Sequence, residues 1–320
     1  MIRFSSTQKI FEIGKIKIGG QPGELPKVLI GTIFYSGQRL WEDEKLGKFD
    51  KNKAQTLISK QDELADETGL PGLLDVVVSS VSAVSKILDF VAKTTDQPFL
   101  FDAFYPEVKI AGLKYITECG LTERVIYNSI MHPITADEVR QIRESGVKSA
   151  ILLAYNVRDR TPQGVVSLLK GSPAQKGLLA VAEEAGIDKP LVDVTLFTYI
   201  PTIGVACRAI YKVKDELGLP VGGAPGNATS TWVPSKKWGE KASNALRISA
   251  QVVPLAFGAD YLMYGPIESA ESIFPACAAV DSMISLSAIV DSCVKPLTKD
   301  TPLYKVFPDV VEKLAKKVAL

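Results

Sequence analysis

The stretch Glu184-Ala185-Gly186-Ile187-Asp188-Lys189-Pro190-Leu191-Val192-Asp193 contains the type of junction that decides the fold of this chain. A pattern typical of a helix ends at a glycine, the residue that most readily adopts the left-handed conformation after a last helical turn. A short apolar run follows, and an aspartate ends it. Because the run has no polar face, it is typical of a strand in a parallel sheet that is covered on both sides. The stretch therefore predicts a helix followed by a buried parallel strand.

The same junction recurs along the chain. Glu-x-Gly also precedes an apolar run at residues 67–69, 118–120, 144–146 and 216–218. Eight apolar runs are predicted as strands, at residues 28–34, 73–79, 98–101, 124–127, 150–154, 190–192, 220–222 and 260–263. Segments with helical periodicity separate them, at residues 53–68, 81–93, 107–119, 135–144, 164–184, 203–217, 241–257 and 267–293. Eight strand-helix units predict an α/β protein with the closed (β/α)8 fold, the TIM barrel.

An open, doubly wound α/β sheet is the alternative arrangement of such units. That fold normally carries a glycine-rich dinucleotide-binding fingerprint after its first strand. The corresponding residues here, Gly31-Thr32-Ile33-Phe34-Tyr35-Ser36-Gly37, do not match that fingerprint. The closed barrel is therefore the preferred prediction.

The 320 residues are predicted to form one domain, with the barrel at residues 28–295. Residues 1–27 precede the barrel, and their alternation of apolar and polar side chains about Gly14 predicts a β-hairpin that caps its N-terminal end. Residues 296–320 are predicted as a C-terminal extension that contains an amphipathic helix at 310–317. Residues 37–50 form a long charged loop that could act as a mobile lid.

The composition argues against several classes of function. Lys and Arg total 37 against 36 Asp and Glu, without long runs of like charge, so neither a nucleic acid nor an anionic membrane is expected as a partner. We expect no signal peptide and no segment that spans a bilayer, and therefore a cytoplasmic protein. The chain has one histidine, His132, and the spacing of its four cysteines does not suit a metal site. We therefore expect no protein-bound metal.

Polar residues close several of the apolar runs. The candidates are Asp102, Asn128, Asp193 and Asn227, with Asn156 as a weaker fifth. In a (β/α)8 barrel the active site forms at the carboxyl ends of the strands, which is where these residues fall. Each one alone could instead cap the next helix or form an Asx-turn. Together, two carboxylates and two or three carboxamides suit the recognition of a flat heterocycle rich in amide and amine groups.

Other common barrel chemistries fit these residues less well. A Schiff-base aldolase needs a lysine at the carboxyl end of a strand, whereas Lys148 and Lys189 precede their strands. Metal-dependent hydrolases need clustered histidines. His132 follows the fourth run and could reach the mouth, but it is more simply explained as a loop residue.

At these residues the sequence resembles the H-subunit family of tetrahydromethanopterin S-methyltransferases, and within it the soluble methylcorrinoid:tetrahydrofolate methyltransferases. The resemblance begins at the N-terminal hairpin and includes Gly20-Gln21-Pro22-Gly23-Glu24 and Val28-Leu29-Ile30-Gly31-Thr32-Ile33-Phe34-Tyr35. It continues across the barrel to Tyr261-Leu262-Met263-Tyr264-Gly265-Pro266-Ile267-Glu268. The chain is more distantly similar to methyltetrahydrofolate:corrinoid/iron–sulfur protein methyltransferases, which have a pterin-binding barrel of the dihydropteroate-synthase type. Their pocket uses an Asp after the third strand, an Asn after the fourth, an Asp after the sixth and an Asn in the seventh loop. The matching residues are Asp102, Asn128, Asp193 and Asn227.

The resemblance implies an enzyme that moves a methyl group between methylcobalamin on a corrinoid protein and N5 of tetrahydrofolate, giving methyltetrahydrofolate and cob(I)alamin. It implies a catalytic role for Asn227, as an amide donor near N5. It implies pterin binding by Asp102, Asn128 and Asp193, and Asn156, the weaker strand-end candidate, is predicted to contact the pterin as well. A homodimer is implied as well. The corrinoid is expected on a separate protein, for which the loop Arg158-Asp159-Arg160 is a candidate contact.

Two alternative functions remain open. A dihydropteroate-synthase-like enzyme, which forms a C–N bond, would need a basic residue aimed at a diphosphate leaving group. We find none at the end of the seventh or eighth run. An assembly subunit of a methyltransferase complex that uses tetrahydromethanopterin would bind a pterin without turnover of its own.

Overall fold

The computed structural model describes residues 3–197, 202–229 and 237–315. Its strands are β1 (Ile10–Ile13), β2 (Ile16–Gly19), β3 (Val28–Ile33), β4 (Trp41–Asp43), β5 (Lys48–Phe49), β6 (Gly72–Val77), β7 (Phe99–Asp102), β8 (Val125–Ile130), β9 (Ser149–Leu153), β10 (Gly171–Ser172), β11 (Gln175–Lys176), β12 (Lys189–Asp193), β13 (Val221–Gly223) and β14 (Tyr261–Pro266). Its helices are α1 (Lys51–Thr68), α2 (Val81–Thr94), α3 (Pro106–Glu118), α4 (Ala136–Ser145), α5 (Pro162–Lys170), α6 (Leu178–Glu184), α7 (Ile203–Leu217), α8 (Pro225–Thr229), α9 (Gly239–Ala256), α10 (Ala270–Ser292), α11 (Pro302–Lys305) and α12 (Pro308–Ala315).

Eight parallel strands close into a barrel in the order β3-β6-β7-β8-β9-β12-β13-β14, and β14 pairs with β3. The (β/α)8 prediction is confirmed, and each predicted run overlaps a barrel strand. The glycines of the five Glu-x-Gly junctions all have positive φ, between 61° and 78°. A side chain with a Cβ is strained in that conformation, which is why glycine stands where each helix turns toward its strand.

The N-terminal hairpin, β1 paired with β2, closes the bottom of the barrel. Ile13 and Ile18 are fully buried there, against inward-facing residues such as Val28, Leu100 and Tyr261. The hairpin thus completes the inner apolar layer at the end opposite the strand carboxyl termini.

The β1–β2 hairpin acts as a plug for the bottom of the barrel, so shortening one of its buried side chains should lower the free energy of unfolding. We expect Ile18→Ala to reduce the free energy of unfolding by about 2–4 kcal/mol, because a buried isoleucine leaves a cavity that the barrel wall can only partly fill. Urea denaturation followed by circular dichroism measures the change. Ile10→Ala in the same hairpin is the matched control, since Ile10 is 38% exposed. Equal losses for the two variants would contradict the role of the hairpin as a plug.

Two predicted segments differ from the structure. The helix expected at 164–184 is divided into α5 and α6, because Gly171 has φ 87° after α5 and the small hairpin β10–β11 follows. The loop at 37–50, expected as a lid, contains the hairpin β4–β5. Trp41 and Phe49 from that hairpin pack against Phe34 and Phe90. Those aromatic contacts fix the loop against the barrel.

Helix α10 and the short turn before it, Ile267–Ser292, are long and apolar enough to cross a membrane by length and composition, contrary to the expectation that no segment is. However, 56% of that window is buried inside the structure, where the helix packs against α1, α9 and α11. Core helices pass the same test, so the apolar composition is explained by packing within the barrel.

Candidate active site

A cavity of about 580 Å³ opens at the carboxyl ends of the barrel strands. Four of the predicted site residues line it: Asp102, Asn128, Asp193 and Asn227. Asp102 and Asp193 are the last residues of β7 and β12, and Asn128 pairs in register with Asp102. Closure of the barrel therefore brings together side chains that are far apart in the sequence.

Asn156, the fifth predicted site residue, is not among the residues that line this cavity. Its Nδ2 donates to the Gly164 carbonyl at 2.9 Å, and its Oδ1 accepts from the backbone N–H groups of Arg158 and Asp159. These are the contacts of an Asx-turn that shapes the loop after β9. A pterin contact by Asn156 stays a prediction that this position does not support.

Asp75 and Thr32 also line the cavity, and the pattern of strand-end residues points to neither of them. Asp75 lies within β6 and is 6% exposed. Its Oδ2 accepts from the Thr32 hydroxyl at 3.0 Å, and its Oδ1 accepts from Asn128 Nδ2 at 3.2 Å. Asp75 thus fixes the orientation of the Asn128 amide and leaves the Oδ1 of Asn128 for other partners.

An irregularity in β8 contributes to the position of Asn128. Asn128 pairs with Ile151 of β9 and Ile130 pairs with Leu152, so Ser129 is one residue in excess on this strand. A bulge of this kind turns the strand locally and changes the direction of neighbouring side chains. Ser129 and Asn128 both line the cavity as a result.

Burial raises the pKa of all three carboxyls in the cavity. The pKa of Asp193 rises from 3.8 to about 7, mainly by burial, against the opposing effect of the Thr195 backbone N–H bonded to Oδ1 at 2.7 Å. The pKa of Asp75 rises to about 6, also by burial. Burial raises the pKa of Asp102 well above its ordinary value, and the charge of Asp75 adds to this. Three neighbouring carboxyls with raised pKa values are typical of a functional site.

Lys109 is a basic residue of the cavity wall, and it is already paired. Its Nζ lies 2.7 Å from Glu138 Oε1, the same atom that accepts from the Tyr127 hydroxyl at 2.7 Å. The Lys109 charge lowers the pKa of Asp102, opposing the effect of burial. Lys109 therefore contributes electrostatics to the cavity while its ammonium group stays bound to Glu138.

Asn227 lies on α8, which is separated from β13 by the single residue Ala224. A Cβ on Gly223 would lie 2.1 Å from Leu196 Cδ1 and 3.0 Å from Asp193 Oδ1. A Cβ on Gly222 would lie 2.1 Å from the Tyr261 carbonyl oxygen. These two glycines are explained by close packing beside Asp193, and neither has a positive φ.

Exposed apolar side chains surround part of the mouth. Phe104 is 86% exposed, Tyr105 is 50% exposed, and their rings meet edge to face with centroids 5.3 Å apart. Both line the cavity, as does Met131. Apolar groups at such a rim can cover one face of a bound heterocycle or contact a protein partner.

His132 and Lys189, which the sequence analysis also considered, do not line this cavity. His132 contacts the carbonyl oxygen of Lys176 through Nε2 at 2.8 Å, which ties its loop to β11. Lys189 is the first residue of β12, at the end opposite the mouth. In the described ranges of the chain, no group of three or more His, Cys, Asp or Glu side chains is suited to hold a metal ion.

The raised pKa of Asp193 predicts a pH-dependent stability. Between pH 4 and pH 7 the folded state retains a proton that the unfolded state has lost, so the protein becomes less stable as pH rises toward 7. We expect Asp193→Asn to raise the free energy of unfolding by on the order of 2–4 kcal/mol at pH 8. The gain should shrink steadily as pH falls from 7 toward 4, where the carboxyl of the unfolded state begins to be protonated as well.

Urea denaturation at pH 4 to 8 measures this stability difference. The exposed Asp188, just before β12, provides the matched control Asp188→Asn. A difference between wild type and Asp193→Asn that does not change with pH would show that Asp193 is not held at a raised pKa.

Comparisons with known proteins agree with this geometry. Residues 6–296 match the family model described as tetrahydromethanopterin S-methyltransferase MtrH subunit. The chain is 39% identical over 310 residues to the H subunit of tetrahydromethanopterin S-methyltransferase from Methanopyrus kandleri, covering 92% of this chain and 96% of that one. The corresponding protein of Methanothermobacter thermautotrophicus is also 39% identical over 310 residues, with 95% and 99% covered.

Among solved structures, dihydropteroate synthases have the same fold. The enzyme from Yersinia pestis covers 86% of this chain and 99% of its own, with a TM-score of 0.58 and 10% identity. The enzyme from Xanthomonas albilineans covers 87% and 98%, with a TM-score of 0.55 and 15% identity. At such identities the likeness concerns the fold alone, and it confirms the predicted barrel type. The sequence relatives go further, and they show that this chain belongs to the H-subunit family of tetrahydromethanopterin S-methyltransferases, a family of methyltransferase subunits.

Proposed function

We propose that this chain binds a reduced pterin in the cavity at the barrel mouth and transfers a methyl group between N5 of the pterin and a corrinoid on a partner protein. The observation that supports this most is the convergence of Asp102, Asn128, Asp193 and Asn227 on one cavity. Carboxylates and carboxamides suit the amide and amine groups of a pterin, and family membership supports the class of reaction.

Two reduced pterins are candidates for the ligand, tetrahydromethanopterin and tetrahydrofolate. The names of the relatives contain tetrahydromethanopterin, which favours the alternative of a methyltransferase subunit that uses that pterin over the tetrahydrofolate prediction. Both molecules present the same pyrimidine edge, so the cavity residues suit either one. Tetrahydromethanopterin is accordingly the first candidate, and tetrahydrofolate is tested beside it.

The edge of the pterin would be held by groups whose other contacts are already fixed. Asp193 Oδ1 accepts from the Thr195 N–H, which leaves Oδ2 as an acceptor for pterin N–H and amino donors. Asn128 Nδ2 is bound to Asp75, which leaves the Asn128 carbonyl oxygen for the ligand. Pre-oriented groups of this kind lose little entropy when the ligand binds.

The reaction demands little covalent chemistry from this chain. A corrinoid carries the methyl group on cobalt and serves as nucleophile or leaving group, so the protein supplies position and electrostatics. The pterin amine is a poor leaving group unless a donor or a proton meets its developing charge, and Asn227 would provide an amide donor beside N5. In the opposite direction the same amide would orient N5 while water removes its proton.

Two measurements test the proposal. Calorimetric titration with tetrahydromethanopterin and with tetrahydrofolate should show one site per chain for at least one of them. Methylcob(III)alamin and the bound pterin should then yield methylated pterin together with the absorbance band of cob(I)alamin. Binding without turnover, even with a corrinoid protein as donor, would favour an assembly subunit, and failure to bind either pterin would refute the proposal.

The proposed reaction requires a corrinoid protein to approach the barrel mouth. A corrinoid protein would dock over the mouth, where Phe104, Tyr105 and the loop Arg158-Asp159-Arg160 are exposed. The Arg160 guanidinium lies 5.9 Å from the centre of the Tyr155 ring, so part of that loop is held in place. The homodimer, the cytoplasmic location and the one-domain organisation stay predictions.

A further inference from the structure

A second cavity, of about 800 Å³, lies beside the pterin cavity. Its walls come from the segment after β3, the first turns of α1, helix α9 and the segment after β14. The residues that matter for its chemistry are Tyr35, Arg39, Asp50, Lys53, Arg247 and Glu268. Its size suits a small organic ligand or a substantial part of one.

The two cavities share the same chain segments. Thr32 and Gly265 line the pterin cavity, and Tyr35 and Pro266 line the second one. Gly265 and Pro266 are consecutive residues of β14, so their Cα atoms are about 3.8 Å apart. The two cavities therefore border the same two strand ends, those of β3 and β14.

The carboxylates of the second cavity are already occupied. Glu268 accepts from Gln38 Nε2 at 2.9 Å and from the Tyr35 hydroxyl. Asp50 caps α1 by accepting from the Lys53 N–H at 3.0 Å, and the Lys53 ammonium lies 3.2 Å from its other oxygen. Asp50 is therefore paired with the Lys53 ammonium, and Glu268 is oriented by two neutral donors.

The two arginines of the second cavity, Arg39 and Arg247, have no carboxylate partner among the described residues. Arg247 donates to the neutral Asn244 Oδ1 at 2.8 Å. In residues 3–197, 202–229 and 237–315, no carboxylate lies within 4.0 Å of the guanidinium group of Arg39 or Arg247. Arg39, Lys53 and Arg247 against Asp50 and Glu268 leave the lining with one net positive charge, and guanidinium groups bind carboxylate or phosphate through paired hydrogen bonds.

We propose that this cavity binds the anionic tail of the pterin cosubstrate, through Arg39 and Arg247. The inference rests on the proposed function, because it requires the pterin ring in the neighbouring cavity. Tetrahydrofolate ends in glutamate carboxylates, and tetrahydromethanopterin carries a phosphate and carboxylates, so both present the required charge. Leu40, Leu57 and Tyr35 provide apolar surface for the aromatic ring that joins tail to pterin.

The experiment separates tail from ring by using a ligand without a tail. Binding of tetrahydromethanopterin, tetrahydrofolate and 6-methyltetrahydropterin is measured by calorimetry for wild type and for the double variant Arg39→Gln/Arg247→Gln. Wild type should bind a tailed pterin at least about tenfold more tightly than 6-methyltetrahydropterin, and the double variant should lose most of that difference. The variant should bind 6-methyltetrahydropterin as wild type does. Comparing the two tailed ligands shows whether carboxylate or phosphate is preferred.

Two further measurements complete the test. Arg140→Gln is the matched control, because Arg140 is exposed on α4, pairs with Asp137 and lines neither cavity. In wild type alone, affinity for the tailed pterins should fall as salt increases, whereas affinity for 6-methyltetrahydropterin should not. This second measurement does not depend on folding of the variant.

The outcomes are distinguishable. Equal affinity of wild type for tailed and tail-free pterins, or an equal loss for both in the double variant, would overturn the tail site while the pterin proposal stands. Absence of binding by all three ligands would overturn the proposed function and the tail site with it.

Discussion

Replacing Asn227 with alanine should slow methyl transfer about 100-fold while changing the Kd for the pterin by less than about threefold. Asn227 lines the cavity from α8, where its amide would meet the charge that develops at N5 as the bond to the methyl group breaks or forms. Removing a single donor that acts on a developing charge typically costs 100- to 1,000-fold in kcat. The ground-state pterin has little charge at N5, so its affinity should be nearly unchanged.

Single-turnover kinetics with methylcob(III)alamin and saturating pterin measure this rate directly, and calorimetry gives the Kd. Asn156→Ala removes a carboxamide of the same size from the loop after β9, where its bonds are local. It should leave both constants close to wild type. A reversal, with a slow Asn156→Ala and an unaffected Asn227→Ala, would move the catalytic amide to the fifth loop.

Positions at strand ends could be predicted because barrel topology fixes them. Asp102 and Asp193 follow apolar runs, and in a parallel barrel every run ends at the same face. The alternation of runs and helices is therefore enough to predict both carboxyls at the mouth. The sequence pattern does not predict which side chains from other strands each carboxyl contacts, because those contacts depend on how the barrel closes.

Asp75 illustrates the limit on the predicted site. It lies inside an apolar run, Gly72-Leu73-Leu74-Asp75-Val76-Val77, whereas the predicted site residues all follow the ends of runs. Aspartate is seldom fully buried without a partner, so its position within a buried strand was an available signal. Its partners Thr32 and Asn128 come from β3 and β8, and no local pattern reveals that pairing.

Asn156 and the second cavity show two other limits on predicting binding residues from the sequence. An asparagine after a strand serves an Asx-turn as readily as a ligand, and only the contacts with Gly164, Arg158 and Asp159 distinguish these roles. Arg39 and Arg247 are separated by most of the chain, and the sequence around each forms no recognised motif. Their common cavity arises from how α9 packs beside the segment after β3.

Asp193→Asn should weaken pterin binding about 100-fold while leaving the protein at least as stable as wild type at pH 8. The asparagine carbonyl can keep the bond to the Thr195 N–H, which turns the NH2 group toward the cavity. Two sets of donors, the asparagine NH2 and the pterin N–H groups, would then face each other. Loss of a buried charge-assisted pair typically costs 2–5 kcal/mol, and about 2.7 kcal/mol corresponds to 100-fold.

The pH dependence of wild-type binding provides an independent measure of the same carboxylate. Because the pKa of Asp193 is raised to about 7 by burial, the cavity holds a protonated carboxyl below that pH and a carboxylate above it. Because Oδ1 is bonded to the Thr195 N–H, only the deprotonated carboxyl leaves Oδ2 as a charged acceptor for the pterin donors, so affinity should rise as pH increases from about 5.5 to 8 and then level off. In Asp193→Asn the part of that rise centred near pH 7 should be absent, and Asp75 and Asp102 are the groups that could still contribute at other pH values. Because the variant is expected to be at least as stable as wild type at pH 8, a loss of affinity there would not reflect misfolding. An Asp193→Asn protein that binds the pterin as tightly as wild type, with the same pH profile, would remove Asp193 from the binding site.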